Sequence, residues 1–117
     1  MNDAHPSSAA PFREALQRLG GDRELLQTMA AIFVDDAPEL LKKLQGEIEA
    51  ESFAAAAQTA HGLKGLIVTY DTDYAGVILQ ELVTALRTAD RPRIAHLLPR
   101  TTQVTESLLA DCRRLVD

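Results

Sequence analysis

The stretch SFAAAAQTAHGLKGLIVTY, residues 52–70, decides the fold, because it contains the one strand-like run of the chain, Ile67-Val68-Thr69. Branching at Cβ favours extended backbone, but this run is short and isolated. Around it Phe53, Ala56, Ala60, Leu63, Ile67 and Tyr70 recur at spacings of three and four, the period of one buried seam on an α-helix. The helical period outweighs the run. A long helix is expected, with Ser52 as its N-cap.

The flanking sequence has the same period. On the N-terminal side, Leu25, Leu26, Met29, Ala30, Ile32, Phe33, Ala37, Leu40, Leu41, Leu44 and Ile48 form a long apolar-periodic segment opened by Asp22 as N-cap, with Glu24 in its first turn. Pro38 removes one backbone donor, so a kink or short break is expected near Asp36. Before it, Pro11, Phe12, Leu16 and Leu19 give a short first helix stopped by Gly20-Gly21. Residues 1–10, MNDAHPSSAA, have the composition of a disordered leader.

On the C-terminal side, Asp71-Thr72-Asp73 supplies turn chemistry before Ala75, Ile78, Leu79, Leu82, Ala85, Leu86 and Ala89. Asp90 and Pro92 open a last helix with Ile94, Leu97, Leu98, Thr101, Val104, Thr105, Leu108, Cys112 and Leu115 on its inner face, and Pro99 is expected to bend it. Four long amphipathic helices on short connections pack most simply as an all-α, antiparallel four-helix bundle over residues 11–117, with the short N-terminal helix across one end.

Composition narrows the function. The chain has 117 residues, 46% of them hydrophobic, which suits one domain with one core. Twelve Lys and Arg against seventeen Asp and Glu leave a net charge of -5, which argues against a nucleic-acid or anionic-membrane surface. A single cysteine, Cys112, cannot close an internal disulfide and is read as a small core hydrophobe. With no membrane-length apolar run and no signal-like start, a cytoplasmic protein is expected. The sequence has no Walker loop, H-E-x-x-H, C-x-x-C or G-x-S-x-G, and His5, His61 and His96 lack metal-ligand spacing, so no metal site is expected. His5 and His96 are taken as surface residues, and Arg87, Arg91 and Arg93 as a solvated cluster.

One place departs from this background. Between Ser52 and Tyr70 the sole charged side chain is Lys64, three residues after His61 and so on the same helix face one turn away. Gly65 joins that face, with Ala57 and Val68 flanking it, while the apolar seam points roughly a hundred degrees away. His61 is therefore expected to be exposed beside the core. Gly62 and Gly65 each cost about 1 kcal/mol against alanine in a helix interior, which points to a need for space. A neutral imidazole has a free lone pair for a phosphoryl group, and a neighbouring ammonium can neutralise charge on it. The plainer reading is a surface histidine beside a surface lysine, a pairing that helices produce by chance.

Ala60-His61-Gly62-Leu63-Lys64-Gly65 resembles the A-H-x-L-K-G signature of histidine-containing phosphotransfer (HPt) domains, which carry phosphoryl groups between receiver-domain aspartates. The resemblance runs from about Leu19 to Leu115, through Leu25-Leu26 to Phe33, the stretch holding Asp36, Pro38 and Leu40, and Leu82. It implies a four-helix bundle, with His61 as phosphoacceptor, Lys64 as charge partner and Gly65 as the residue that leaves space. It also implies a carrier without kinase activity, and Mg²⁺ on the partner receiver rather than a cofactor of its own. Two departures stand out: Leu66-Ile67-Val68-Thr69-Tyr70 is bulky where the family has small residues, and Asp71-Thr72 occupies the place of a Gly-Ala pair.

The second helix carries a surplus apolar stripe. Leu26, Ala30, Phe33, Ala37, Leu40 and Leu44 suffice for the core, yet Leu25, Met29, Ile32 and Asp36 form another stripe. These four, with Ala57 and Val68, are the expected docking residues; alternatively, the stripe covers the first helix through Phe12 and Leu16. The expected function is a phosphorelay intermediate that takes its phosphoryl group from one receiver phospho-aspartate and passes it to another receiver. Its partners would be response-regulator receivers and a hybrid sensor histidine kinase, and it would act as a monomer. The Met1 leader favours a free-standing chain over a piece of a hybrid kinase. The bulky Leu66 to Tyr70 stretch motivates the rival expectation of a bundle that binds signalling proteins without being phosphorylated. A kinase fragment is disfavoured, since no nucleotide-binding segment follows the bundle.

Overall fold

The computed structural model describes residues 9–116, with side chains from Phe12 onward. These residues form α1 (Ala9–Arg18), α2 (Arg23–Glu49), α3 (Phe53–Ile67), α4 (Ala75–Arg87) and α5 (Arg91–Val116), with no strand among them. The expected leader lies outside the described residues except for Ala9 and Ala10. Those two open α1, because Pro11 is tolerated in a first turn, where its missing N–H has no intrahelical partner to lose.

The turn between α1 and α2 needs its glycines. Gly20 and Gly21 have φ of +68° and +82°, a region that side chains disfavour, and the Gly21 N–H donates to the Leu16 carbonyl at 2.8 Å. Asp22 then caps α2, its Oδ1 accepting from the Leu25 N–H at 3.0 Å. The helix continues unbroken through Pro38, so of the kink or short break expected near Asp36 no break occurs. Burial of Phe33, Ala37, Leu41 and Leu44 on either side outweighs the one hydrogen bond lost. Likewise, α5 passes Pro99 without interruption between buried Leu97 and Thr101.

Other boundaries differ from expectation. Ser52 precedes α3 but makes no side-chain cap bond. The helix ends at Ile67, so Tyr70 reaches the core from a turn, in which its N–H donates to the Ile67 carbonyl at 2.9 Å. Ala89 lies past α4, exposed and with φ of +53°, instead of on the buried face. Leu41 takes the core place expected of Leu40, which is only half-buried.

Connections of three residues after α2, seven after α3 and three after α4 make neighbouring helices antiparallel. Long-range contacts agree: Arg91 at the start of α5 pairs with Glu51 after α2, while Gln27 near the start of α2 donates to the Leu115 carbonyl near the end of α5. In cyclic order, α2 packs on α3, α3 on α4, α4 on α5 and α5 on α2, with α1 against α2. Phe33, Leu44, Leu63, Ile67, Leu79, Leu82, Leu86 and Leu97 fill the centre. At one end Tyr70 stands edge-on to Phe33 and Phe12, with ring centroids 5.5 and 6.2 Å away, so α1 closes that end.

Candidate functional site

The two faces of α3 carry different chemistry. Ala56, Ala60, Leu63 and Ile67 are fully buried, whereas His61, Gly62 and Gly65 are exposed. A methyl group added at Gly62 or Gly65 would meet nothing within 4 Å, so the fold itself does not require glycine at either position. Lys64, half-buried, extends to α4, where its Nζ donates to Gln80 Oε1 at 2.6 Å. Gln80 Nε2 in turn donates to Thr84 Oγ1 at 3.4 Å, one turn further along α4. The outer face thus presents an open imidazole, an ammonium held on the adjoining helix, and clear space.

Beside Gly65 lies a shallow groove of about 70 Å³ between α2 and α3, lined by Met29, Ile32 and Phe33 on one side and by Leu66, Thr69 and Tyr70 on the other. Of the expected docking residues, Ile32 is 46% and Leu25 41% exposed; Asp36 is exposed and Met29 half-buried. Leu25 and Ile32 thus keep a large exposed area although α1 packs on α2. Ala57 must be withdrawn: it is buried at 3% exposure on the helix–helix seam and has no surface to offer. Val68 is half-buried and turned towards α4, where its Cγ1 lies 3.1 Å from the Cβ position of Gly76, away from the Met29–Ile32 groove.

The bulky stretch after the motif is absorbed by packing. Ile67 and Tyr70 enter the core, Leu66 and Thr69 line the groove, and Val68 closes on Gly76. Gly76 does the work expected of a glycine in this turn. A Cβ there would approach the Asp71 carbonyl and Val68 Cγ1 to 3.1 Å each, and its N–H donates to that carbonyl at 2.9 Å. Asp71 Oδ1 accepts from the Tyr74 N–H at 2.9 Å, an Asx turn leading into α4. From α1, Arg18 Nη1 donates to the carbonyls of Val68 and Thr69 at 3.0 and 2.8 Å, just past the end of α3, where the Val68 carbonyl also accepts from Thr72 Oγ1 at 3.1 Å. Gln80, Gly76 and Arg18 were not singled out by sequence reasoning, since each acts on a residue of another helix or turn.

Burial raises the Tyr70 hydroxyl and pushes the Cys112 thiol up to about 11, which suits a core cysteine. At the far end of the bundle, hydrogen bonding from Arg91 lowers the Glu51 carboxyl. The three arginines there are exposed, and two of them are paired: Arg91 bonds Glu51 at 2.9 Å and stacks over Phe53 at 5.2 Å, and Arg93 lies 3.7 Å from Glu81. Among the described residues no group of three His, Cys, Asp or Glu is placed to hold a metal ion, and no helix is long and apolar enough to cross a membrane.

The described residues form a helical bundle with His61 on an open helix face and Lys64 one turn on. The chain belongs to the Hpt domain family, which matches residues 28–111, and so to the histidine phosphotransfer class of two-component phosphorelays. It is also similar to phosphotransferase RcsD of Escherichia coli (strain K12), 36% identical over a match of 95 residues, with 78% of this chain covered. The chain spans only 11% of the length of that relative. No solved structure matches it significantly.

Proposed function

We propose that this protein is a phosphorelay carrier that accepts a phosphoryl group on His61 from a receiver phospho-aspartate and returns it to the aspartate of another receiver. The exposed position of His61 on α3, with Lys64 on the same face, is the observation that carries this reading. A ring nitrogen of His61 attacks phosphorus in line, the P–N bond forms, and the P–O bond to the aspartate breaks, leaving a free carboxylate on the receiver. Lys64 offsets negative charge on the phosphoryl oxygens during transfer. Gly65 and the groove beside it leave room for the receiver, which contacts Leu25, Met29, Ile32 and Asp36. The receiver supplies Mg²⁺, and the carrier has no ATP-dependent kinase activity of its own. The likeness to a protein named as a phosphotransferase supports the same chemistry. On this reading the chain works in the cytoplasm, as a monomer, between a hybrid sensor kinase and a response regulator.

Incubation with a phosphorylated receiver tests the proposal. The carrier gains acid-labile, base-stable phosphate, and His61→Gln gains none. Receiver binding without phosphate on the wild-type chain would instead make this a bundle that only docks signalling proteins.

A further inference from the structure

Lys64 is the one charged side chain of α3, and a lysine on an open surface has four rotatable bonds through which to wander. Here it does not hang free: its Nζ donates to Gln80 Oε1 at 2.6 Å, on the neighbouring helix. Gln80 is fixed from its other end, since Nε2 donates to Thr84 Oγ1. Because an ammonium can only donate, the amide oxygen must face Lys64, which leaves the amide nitrogen to donate to Thr84, whose hydroxyl can accept it. We propose that Gln80 is a positioning residue for phosphotransfer, holding the Lys64 ammonium beside His61 while leaving its charge intact.

The chemical identity of residue 80 matters. A carboxylate in that place would hold the lysine equally well but would cancel its charge and repel an incoming phosphoryl group. A neutral amide holds it without either effect. The ammonium keeps two further N–H donors for phosphoryl oxygens while the third stays on Gln80. Glu81, the adjacent acid, is directed to Arg93 at 3.7 Å and does not compete. The Lys64–Gln80 bond is exposed, so it adds little to fold stability. Its effect should appear in the rate of transfer and not in the melting temperature.

This inference rests on the phosphotransfer reading, and the experiment separates the two. His61 is phosphorylated with phosphoramidate, a small donor that needs no docking surface, in the wild type, Gln80→Met, Gln80→Glu, Lys64→Ala and the Lys64→Ala/Gln80→Met double variant. Gln80→Met should slow phosphorylation about three- to tenfold, and Gln80→Glu at least as much although it keeps an acceptor. In the Lys64→Ala background, Gln80→Met should add nothing, because the group it positions is gone. Melting temperatures of both single Gln80 variants should stay within a few degrees of wild type. An unchanged rate in Gln80→Met, or the same fold-loss with and without Lys64, overturns the positioning role. A wild-type chain that takes up no phosphate on His61 overturns the phosphotransfer reading instead.

Discussion

The inner and outer faces of α3 differ in what a substitution would cost. On the inner face Ala56, Ala60, Leu63 and Ile67 have no exposed surface and meet α2 and α4, so each added or removed methylene changes a packed interior. On the outer face His61 is exposed and nothing lies within 4 Å of where Gly62 and Gly65 would carry a side chain. One helix therefore serves two purposes with little interference: its inner face holds the bundle together, and its outer face is free for chemistry. The contrast can be broken from either side.

The largest expected effect is on the outer face. His61→Gln should abolish phosphoryl acceptance from any donor while the helical circular-dichroism signal and melting temperature stay near wild type. Lost helicity would move His61 into the core. Leu63→Ala, two residues away but facing inward, should do the reverse. It should cost about 2–5 kcal/mol in chemical denaturation and leave phosphorylation of the remaining folded molecules nearly unchanged. Lys64→Ala should slow single-turnover transfer by roughly ten- to a hundredfold, the amount a charge-assisted contact of about 1.5–3 kcal/mol supplies when expressed fully in the transition state. Lys64→Arg should retain part of the rate.

Smaller effects sharpen the contrast. Ile32→Glu, at the groove beside Gly65, should keep its melting temperature within a few degrees, as surface changes usually cost less than about 0.5 kcal/mol. Its transfer from a receiver should weaken through association, with phosphoramidate labelling unaffected; equal loss with both donors would indicate a disturbed histidine site. Gly65→Ala should raise stability, by up to about 1 kcal/mol, since the added methyl group has room and alanine favours helix. If transfer from a receiver nonetheless slows, the glycine is kept for the partner's approach and not for the fold.

Much of this was legible in the chain because it depends on local spacing. The all-helical class, the Asp22 cap, the Gly20-Gly21 stop and the inner seam of α3 all follow from periodicity and turn chemistry within a few residues. The placement of His61, Lys64 and Gly65 on one face follows from helical geometry alone. Pro38 and Pro99 each remove one hydrogen bond without interrupting a helix, because flanking buried residues keep α2 and α5 continuous. The substitution of Asp71-Thr72 for a Gly-Ala pair looked like a change in the turn, whereas Gly76 fits the close approach a few residues later.

By itself, then, the sequence determined which residues share a helix and which face of that helix each one occupies, because 3.6 residues per turn and capping chemistry operate within single segments. It also contained the motif that names the family. Packing between helices settled the rest: Lys64 is held by Gln80, Arg18 clasps the carbonyls just past α3, Ala57 is sealed against a neighbour and Ile32 is left open. Those outcomes depend on how each helix is rotated and seated against the next, a choice made by the summed packing of all five helices and not by the period of any one of them.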